Sequence, residues 1–274
     1  MMKIRLRKVA SAFSLIEIIF VIIVLGIVSS IGAEIIAKAY RSYIMERAVY
    51  RAEMKTELAA MQLINRFATV IPGTAYRIET GGAKTPYAQS INPSKTYKGI
   101  EWVAADIDSL NAGGWSGFCD VDPSTKSSLS SPGSNFNTVT TIKSNLQGTG
   151  ALQVYFRKDY TGNGVARNYP VTVSDATHLS FSDTNSSKTI WEHYKLAWTS
   201  YAAVVEGGDL YLYYNFPATP GSDYTTGSKA LLLKNVSKFK FSGTEYSIRF
   251  KLCKQEQIGD TDFNVTACKE KVGF

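Results

Sequence analysis

Apolar residues follow two different patterns along the chain, and the first is a long helical pattern. The 21 residues from Phe13 to Ala33 carry a single charge, Glu17, and match the length that a helix needs to cross a bilayer. From Glu34 to Val70 the residues are mostly good helix formers, with apolar side chains three to four positions apart and one polar gap. These apolar positions are Ile44, Ala48, Ala52, Ala59, Leu63, Phe67 and Val70. They predict a helix over residues 13–71, transmembrane over about 13–33, whose second half packs on a sheet; its small alanines do not sustain coiled-coil heptads.

The second pattern begins after Pro72-Gly73, which ends the helical pattern. Residues 72–150 are rich in Gly, Ser, Thr, Asn and Pro, and predict a loop-rich insert with a few strand pieces. Residues 151–274 contain short strand-like runs between turns, and Glu206-Gly207-Gly208-Asp209 is a strong hairpin signal. We therefore predict an α+β fold, with a long N-terminal helix packed on an antiparallel β-sheet domain that carries a long loop insert.

The net charge of +7 comes mostly from the start of the chain. Lys3, Arg5, Arg7 and Lys8 precede the apolar run, and without them 26 Lys and Arg residues face 23 acidic residues. The remaining basic residues are scattered, so the sequence does not indicate a nucleic-acid surface. Because positive residues favour the cytoplasmic side, we expect the N-terminus to stay in the cytoplasm while the rest of the chain crosses the membrane.

The acidic residue inside the apolar segment separates three interpretations of that segment. A secretory signal peptide cleaved near Ser30-Ile31-Gly32 would have a shorter apolar region and no internal acid. In a plain signal anchor Glu17 would have no function, and its carboxylate would extend to the membrane interface. The third interpretation accounts for Glu17 together with the residues around it.

The residues around Glu17 form a specific motif. A basic leader, the small residue Ala12, the run Phe13-Ser14-Leu15-Ile16-Glu17 and an unbroken apolar segment follow one another. This N-terminus resembles that of type IV prepilins and of the pseudopilins of type II secretion. In that family pattern Glu17 is the fifth residue of the mature chain and Gly26 the fourteenth. Two positions depart from the pattern, since Ala12 stands where Gly is usual and Glu34 where Pro is frequent.

The resemblance implies how this N-terminus is processed and used. Prepilin peptidase would cut between Ala12 and Phe13, removing the leader 1–12, and Phe13 would then be N-methylated. Glu17 lies about one helical turn from the new amino group of Phe13. In a bundle of subunits its carboxylate can pair with the amino group of a neighbouring Phe13 and set the register. Glu17 and Gly26 are the predicted assembly residues.

The second half of the chain resembles the J-type minor pseudopilins and the larger minor pilins related to them. The shared features are the order of helix, long insert, tyrosine-rich hairpin and closing strands. The resemblance implies a minor subunit, not an enzyme, that assembles into or caps a type IV pilus or a type II secretion pseudopilus. Its partners would be prepilin peptidase, other pilin or pseudopilin subunits and the inner-membrane assembly platform, and its folded domain would be periplasmic.

Two other functions stay open. The first is a pilus-tip adhesin or a DNA-uptake minor pilin that binds through residues 74–150; only as a competence pilin would the chain have a nucleic-acid partner. The second is an anchored periplasmic enzyme, for which Glu17 would have no role.

Three cysteines, Cys119, Cys253 and Cys268, offer one disulfide and one spare thiol. Pilins often close a C-terminal loop with a disulfide, so the resemblance implies a bond between Cys253 and Cys268. A loop of that size would stabilise the fold by about 3 kcal/mol. Pairing of Cys119 with either partner, or three free thiols, stays open.

Candidate metal and catalytic residues are sparse. Some pseudopilins bind calcium, so Asp260, Asp262 and Asn264 stay a calcium candidate beside the simpler alternative of a solvated turn. Two further acid pairs have a similar composition: Asp106 with Asp108, and Asp120 with Asp122. His178 and His193 lack a matching nucleophile motif, so we predict no catalytic residue and no cofactor other than this calcium candidate.

Overall fold

The computed structural model describes residues 14–183, 188–244, 246–258 and 264–273. The chain forms two compact units, Met1–Ala48 and Val49–Phe274. In the first unit every described residue from Leu15 onward is helical. The second unit contains the end of that helix and all of the described strands.

Three α-helices, one short 3-10 helix and fourteen strands make up the described part of the chain. In chain order these elements are α1 (Leu15–Phe67), β1 (Tyr76–Glu79), β2 (Lys84–Pro86), β3 (Tyr97–Ala104), α2 (Ile107–Asn111), β4 (Ser128–Ser130), α3 (Phe136–Asn145), β5 (Leu152–Phe156), β6 (Tyr169–Val173), β7 (His178–Phe181), β8 (Tyr194–Ala197), β9 (Thr199–Glu206), β10 (Asp209–Phe216), the 3-10 helix (Tyr224–Thr226), β11 (Ser228–Leu233), β12 (Val236–Thr244), β13 (Ser247–Gln257) and β14 (Asn264–Gly273). The predicted α+β class is confirmed.

The largest sheet has six antiparallel strands in the order β11-β10-β9-β3-β1-β2. Its central strands β3 and β9 are distant in sequence, yet they pair from Gly99 with Val204 to Ala104 with Thr199. Strands β9 and β10 form the hairpin that the sequence predicts, closed by Gly207 and Gly208. Both glycines have the positive φ that a tight two-residue hairpin turn requires.

Residues 105–198 form a lobe inserted between the two central strands of this sheet. The chain leaves the sheet at Ala104 and returns at the paired residue Thr199. Between these points lies a second antiparallel sheet, β4-β7-β6-β5-β8. It shares a core with α3, in which Phe136 and Val139 are fully buried. We call residues 105–198 the insert lobe and the rest of the second unit the main lobe.

The second half of α1 packs its apolar stripe in the main lobe, as predicted. The ring centroid of Phe67 lies 4.6 Å from that of Trp102 in the six-stranded sheet and 5.7 Å from that of Phe250 in β13. Strand β13 is the centre of a third sheet, β12-β13-β14. Glu57 of α1 accepts a hydrogen bond from Lys271 of β14 at 2.6 Å. Five stripe positions of the second unit are at most 2% exposed: Ala52, Ala59, Leu63, Phe67 and Val70.

The fold does not divide where the composition changes. Strands β1, β2 and β3 lie within residues 72–150, the predicted loop-rich insert, but they belong to the largest sheet. Strands β5 to β8 follow residue 150 but belong to the insert lobe. The structural insert is therefore 105–198. Its limits could not be predicted from composition, because the pairing of β3 with β9 is long-range and leaves no local signal in the sequence. Helix α1 also ends at Phe67, one turn before the predicted end at residue 71.

Candidate functional site

The first candidate site is the apolar part of α1. Its most apolar 18-residue window has a mean hydropathy of 2.7, and none of that window is buried within the protein. Of the described helices, α1 is the one long and apolar enough to span a membrane. Side chains such as Leu15, Ile16 and Phe20 are more than two thirds exposed. Exposed apolar surfaces of this size mark sites of contact with a membrane or with another protein.

Glu17 lies in the first turn of this helix and is exposed. Its backbone N–H donates to the carbonyl of Ser14 at 3.1 Å and to the Ser14 hydroxyl at 3.3 Å. Ser14 therefore caps the helix, and Ser-x-x-Glu is the capping-box pattern. This role of Ser14 was not predicted from the sequence, although Ser-x-x-Glu is a known signal of a helix N-terminus. Among the described residues no side chain pairs with the carboxylate of Glu17.

Gly26 lies in the middle of the apolar helix, and no contact among the described residues accounts for a glycine there. A Cβ atom built at this position would meet no other atom within 4 Å. Glycine in a helix interior costs roughly 1 kcal/mol relative to alanine. Gly32 of the same helix is equally open, so contacts among the described residues explain neither glycine.

The other predicted residues of the N-terminal site lie outside the described residues. They are the leader charges Lys3, Arg5, Arg7 and Lys8 and the processing residues Ala12 and Phe13. Cleavage and methylation there stay predictions.

The C-terminal disulfide is present in the structure. Cys253 of β13 and Cys268 of β14 are directly paired across the hairpin and joined by a bond, with their Cα atoms 4.1 Å apart. The bond therefore links the central strand of the third sheet to an edge strand. Cys119 is free and buried.

Cys119 is chemically shielded. Its thiol donates to the carbonyl of Trp191 at 2.9 Å. Burial, with a smaller effect from Asp120 and Glu192, raises the pKa of Cys119 to about 11. Because the thiolate is the nucleophile, this residue is unsuited to redox or covalent chemistry at neutral pH.

The acidic candidates for a metal site do not come together in the described part of the chain. No group of three or more His, Cys, Asp or Glu side chains there could hold a metal ion. Asp106 instead caps α2 by accepting from the Ser109 N–H at 3.1 Å. Asp120 and Asp122 are exposed.

The C-terminal calcium candidate is only partly described. Asp260 and Asp262 lie outside the described residues, and Asn264 begins β14. Calcium binding there stays a prediction.

The two histidines have local acidic neighbours and lie in different strands or loops. His178 Nδ1 lies 3.0 Å from Asp175 Oδ1, three residues away. His193 Nε2 lies 3.3 Å from Glu192 Oε1, and its ring packs on Phe118 with 4.5 Å between ring centroids. Neither contact includes a serine or cysteine nucleophile.

The chain matches no protein-family model, no curated protein and no solved structure. Its function is therefore inferred from its own residues and the N-terminal motif.

Proposed function

We propose that this protein is a minor subunit of a helical filament of the type IV pilus or type II secretion pseudopilus class. The observation that carries the proposal is the position of Glu17, an exposed carboxylate in the first turn of a helix whose apolar side chains are exposed. The proposal assigns that helix first to the inner membrane and then to the core of the filament.

A carboxylate in this position needs a partner. An unpaired charge in hydrocarbon costs roughly 2.5–3.5 kcal/mol on insertion scales. Capping by Ser14 involves the backbone N–H of Glu17 and leaves the carboxylate available. After cleavage between Ala12 and Phe13, the amino group of a neighbouring Phe13 is the partner that the family motif implies. Pairing between subunits would then set the register of packed helices.

Gly26 supports the same packing. Among the residues that the structure describes, no contact depends on its lack of a Cβ atom. Small residues let apolar helices approach closely, which is how helices associate in lipid. We therefore assign Gly26 to the contact between subunits. Close helix packing at that contact would offset the loss of helix stability that glycine causes.

Processing and location follow from the same proposal. Prepilin peptidase removes residues 1–12 on the cytoplasmic side, and the inner-membrane platform assembles the processed subunit. The second unit lies in the periplasm, where the disulfide between Cys253 and Cys268 is expected to persist. A mature chain of 262 residues with an inserted lobe is bulky for a repeated subunit, which favours a tip or initiator position.

The first experiment is the intact mass and N-terminal sequence of the membrane-extracted protein, with and without prepilin peptidase. Peptidase-dependent appearance of N-methylated Phe13 as the first residue is the expected result. A chain that still begins at Met1, or one that begins near Ala33, would refute the assignment. Quantitative mass spectrometry of sheared filaments tests the minor role, which fails if this subunit predominates.

The charge of Glu17 has its own test. Glu17→Gln keeps the shape and removes the charge, so incorporation into filaments should fall while membrane insertion persists. Glu34→Gln is the matched control, because Glu34 is also exposed on α1 and forms its ion pair within the helix, with Lys38 at 2.8 Å. Equal incorporation of both variants would contradict the assembly role.

A tip adhesin or DNA-uptake pilin is the second candidate, and the insert lobe is the observation that favours it. This lobe has its own core and connects to two adjacent strand ends, Ala104 and Thr199. Replacing residues 105–198 by a two-residue Asn-Gly turn would convert β3 and β9 into a direct hairpin. Lost binding with intact filaments would support the adhesin function, and lost filaments would support the initiator function.

A further inference from the structure

A cavity of about 580 Å³ lies where the two lobes of the second unit meet. The insert lobe contributes residues at the end of β5 and the start of β8, among them Arg157 and Lys195. The main lobe contributes Pro72, after α1, and Tyr246, in the turn between β12 and β13. Clefts between lobes are common positions for small-molecule sites, and this volume lies in their usual range.

Three cationic residues line this cavity: Arg157, Lys158 and Lys195. All three residues are exposed. Within the described residues none of them forms an ion pair. The nearest acid in sequence, Asp159, is already used, since its Oδ1 lies 3.6 Å from the Nε of Arg167. The cavity therefore carries three positive charges without an acidic partner in the described part of the chain.

One wall of the cavity is aromatic and rigid. Tyr155 and Tyr194 are buried, and the hydroxyl of each forms a hydrogen bond within the protein. The Tyr155 hydroxyl donates to the carbonyl of Ala218 at 2.6 Å, and the Tyr194 hydroxyl lies 2.7 Å from that of Ser131. These bonds fix both rings, so this wall is already formed before any ligand binds.

Two further tyrosines at the cavity have more exposed rings. Tyr160 is half-buried, and one of its ring carbons lies 2.5 Å from where a Cβ atom of Gly73 would stand. Only glycine at position 73 therefore leaves room for this ring. Tyr246 is 62% exposed and lines the same cavity.

We propose that this cavity binds a phosphate monoester carried on a ring-shaped small molecule, such as a sugar phosphate or a nucleoside monophosphate. A phosphate monoester carries nearly two negative charges at neutral pH and three strong acceptor oxygens, which suits several cations better than a single carboxylate does. Arginine and lysine are the usual ligands of such a group. Tyr160 and Tyr246 supply the apolar surface on which the ring packs.

Lys195 is the residue through which the phosphate is held most firmly. It is directly opposite Tyr155 across the β5–β8 pair, so its backbone position is set by the sheet. Partial desolvation lowers the pKa of Lys195, and a bound phosphate would favour its charged form again. This site does not depend on the proposed filament function, because none of its residues belongs to the N-terminal helix.

The test is calorimetric titration of the full-length, detergent-solubilised protein with four probes: inorganic phosphate, glucose 6-phosphate, adenosine monophosphate and glucose. We expect at least one of the two ring-bearing phosphates to bind at least about tenfold more tightly than inorganic phosphate, because only it contacts the tyrosines. Glucose should not bind measurably, since it lacks the anion.

Two substitutions locate the site. Lys195→Gln and Arg157→Gln should each weaken binding of the preferred phosphate by about tenfold, as expected for loss of a charge-assisted hydrogen bond. Both side chains are exposed, so the variants should keep the wild-type circular dichroism spectrum. Lys234→Gln, an exposed lysine outside the cavity lining, is the control and should change affinity less than about twofold.

Three results would overturn the proposal. The first is no binding of any phosphate probe at millimolar concentration. The second is equal affinity for inorganic phosphate and the ring-bearing phosphates, which would remove the role of the tyrosines. The third is the same loss of affinity for Lys234→Gln as for Lys195→Gln, which would mean that the phosphate responds to net charge rather than to this cavity.

Discussion

Glu101 allows the deepest quantitative test of the fold, because it is an acid in the middle of the largest sheet. It lies in β3 and is 2% exposed. Lys84 of β2 donates to Glu101 Oε2 at 2.5 Å and also donates to the carbonyl of Ser222. Burial raises the pKa of Glu101 from 4.5 to about 7, and the ammonium of Lys84 opposes that rise only in part.

The sign of the effect on stability follows from linkage. The folded state holds the Glu101 proton more tightly than the unfolded chain does, so protonation favours folding. The stability from this group is fully present below pH 4.5 and is lost as the pH rises to about 7. At about 1.36 kcal/mol per pKa unit, the loss across that window is about 3 kcal/mol.

Glu101→Gln isolates this contribution, because the amide has a similar shape and does not ionise. Denaturant unfolding of the full chain in detergent, followed by tryptophan fluorescence at several pH values from about 4.5 to about 8, gives the free energy of unfolding for both proteins. We expect the free energy of unfolding of the wild type, minus that of the variant, to fall by about 3 kcal/mol over that pH range. Glu53→Gln, an exposed acid on α1, is the control.

The reasoning would be refuted by a difference between wild type and Glu101→Gln that does not change with pH. It would also be refuted by a difference that rises with pH, which would mean that the ion pair with Lys84 outweighs burial. Groups with lowered pKa values, such as Glu57 and Glu256, cancel in this comparison because both proteins carry them.

Three further predictions concern the core and the cysteines. Leu63→Ala should lower the free energy of unfolding by about 2–5 kcal/mol, because Leu63 is fully buried between α1 and the sheets, as denaturant titration would measure. Replacing both Cys253 and Cys268 by Ser should cost about 3 kcal/mol in the same titration, by releasing the constraint on the unfolded chain. Cys119 should resist alkylation in the native protein at neutral pH and react on unfolding, as intact mass would show, since burial raises its pKa to about 11.

Each of these has a matched control. Leu58→Ala removes the same side chain from an exposed position of the same helix and should cost far less than Leu63→Ala; equal costs would contradict the packing of α1. Reduction of the wild type should reproduce the loss seen with the double serine variant, and an unchanged midpoint would argue against a stabilising disulfide. Ser94→Cys supplies an exposed thiol for comparison, and Cys119 reacting as fast as that thiol would contradict its burial.

Local patterns were sufficient where the determining contacts are close in sequence. The helical period of α1 identified the buried stripe from Ala52 to Val70, because helix geometry alone places those side chains on one face. The Gly207-Gly208 turn identified the β9–β10 hairpin, since only residues that tolerate positive φ fit there. The N-terminal motif likewise depends on contiguous residues, and its functional meaning stays a prediction.

The remaining features depend on contacts between segments that are distant in sequence, so they are visible only in the folded chain. Strand β3 pairs with β9 across the insertion of residues 105–198, and nothing in the composition of either segment names its partner. Glu101 lies beside Lys84 because β1 pairs with both β2 and β3, and the cavity is lined by residues as distant in sequence as Arg157 and Tyr246. Local sequence patterns were therefore enough to predict many of the helices and strands, including the apolar N-terminal helix. The arrangement of sheets, the true limits of the insert and the cationic cavity required the fold, because long-range packing energy has no signature in a single stretch of chain.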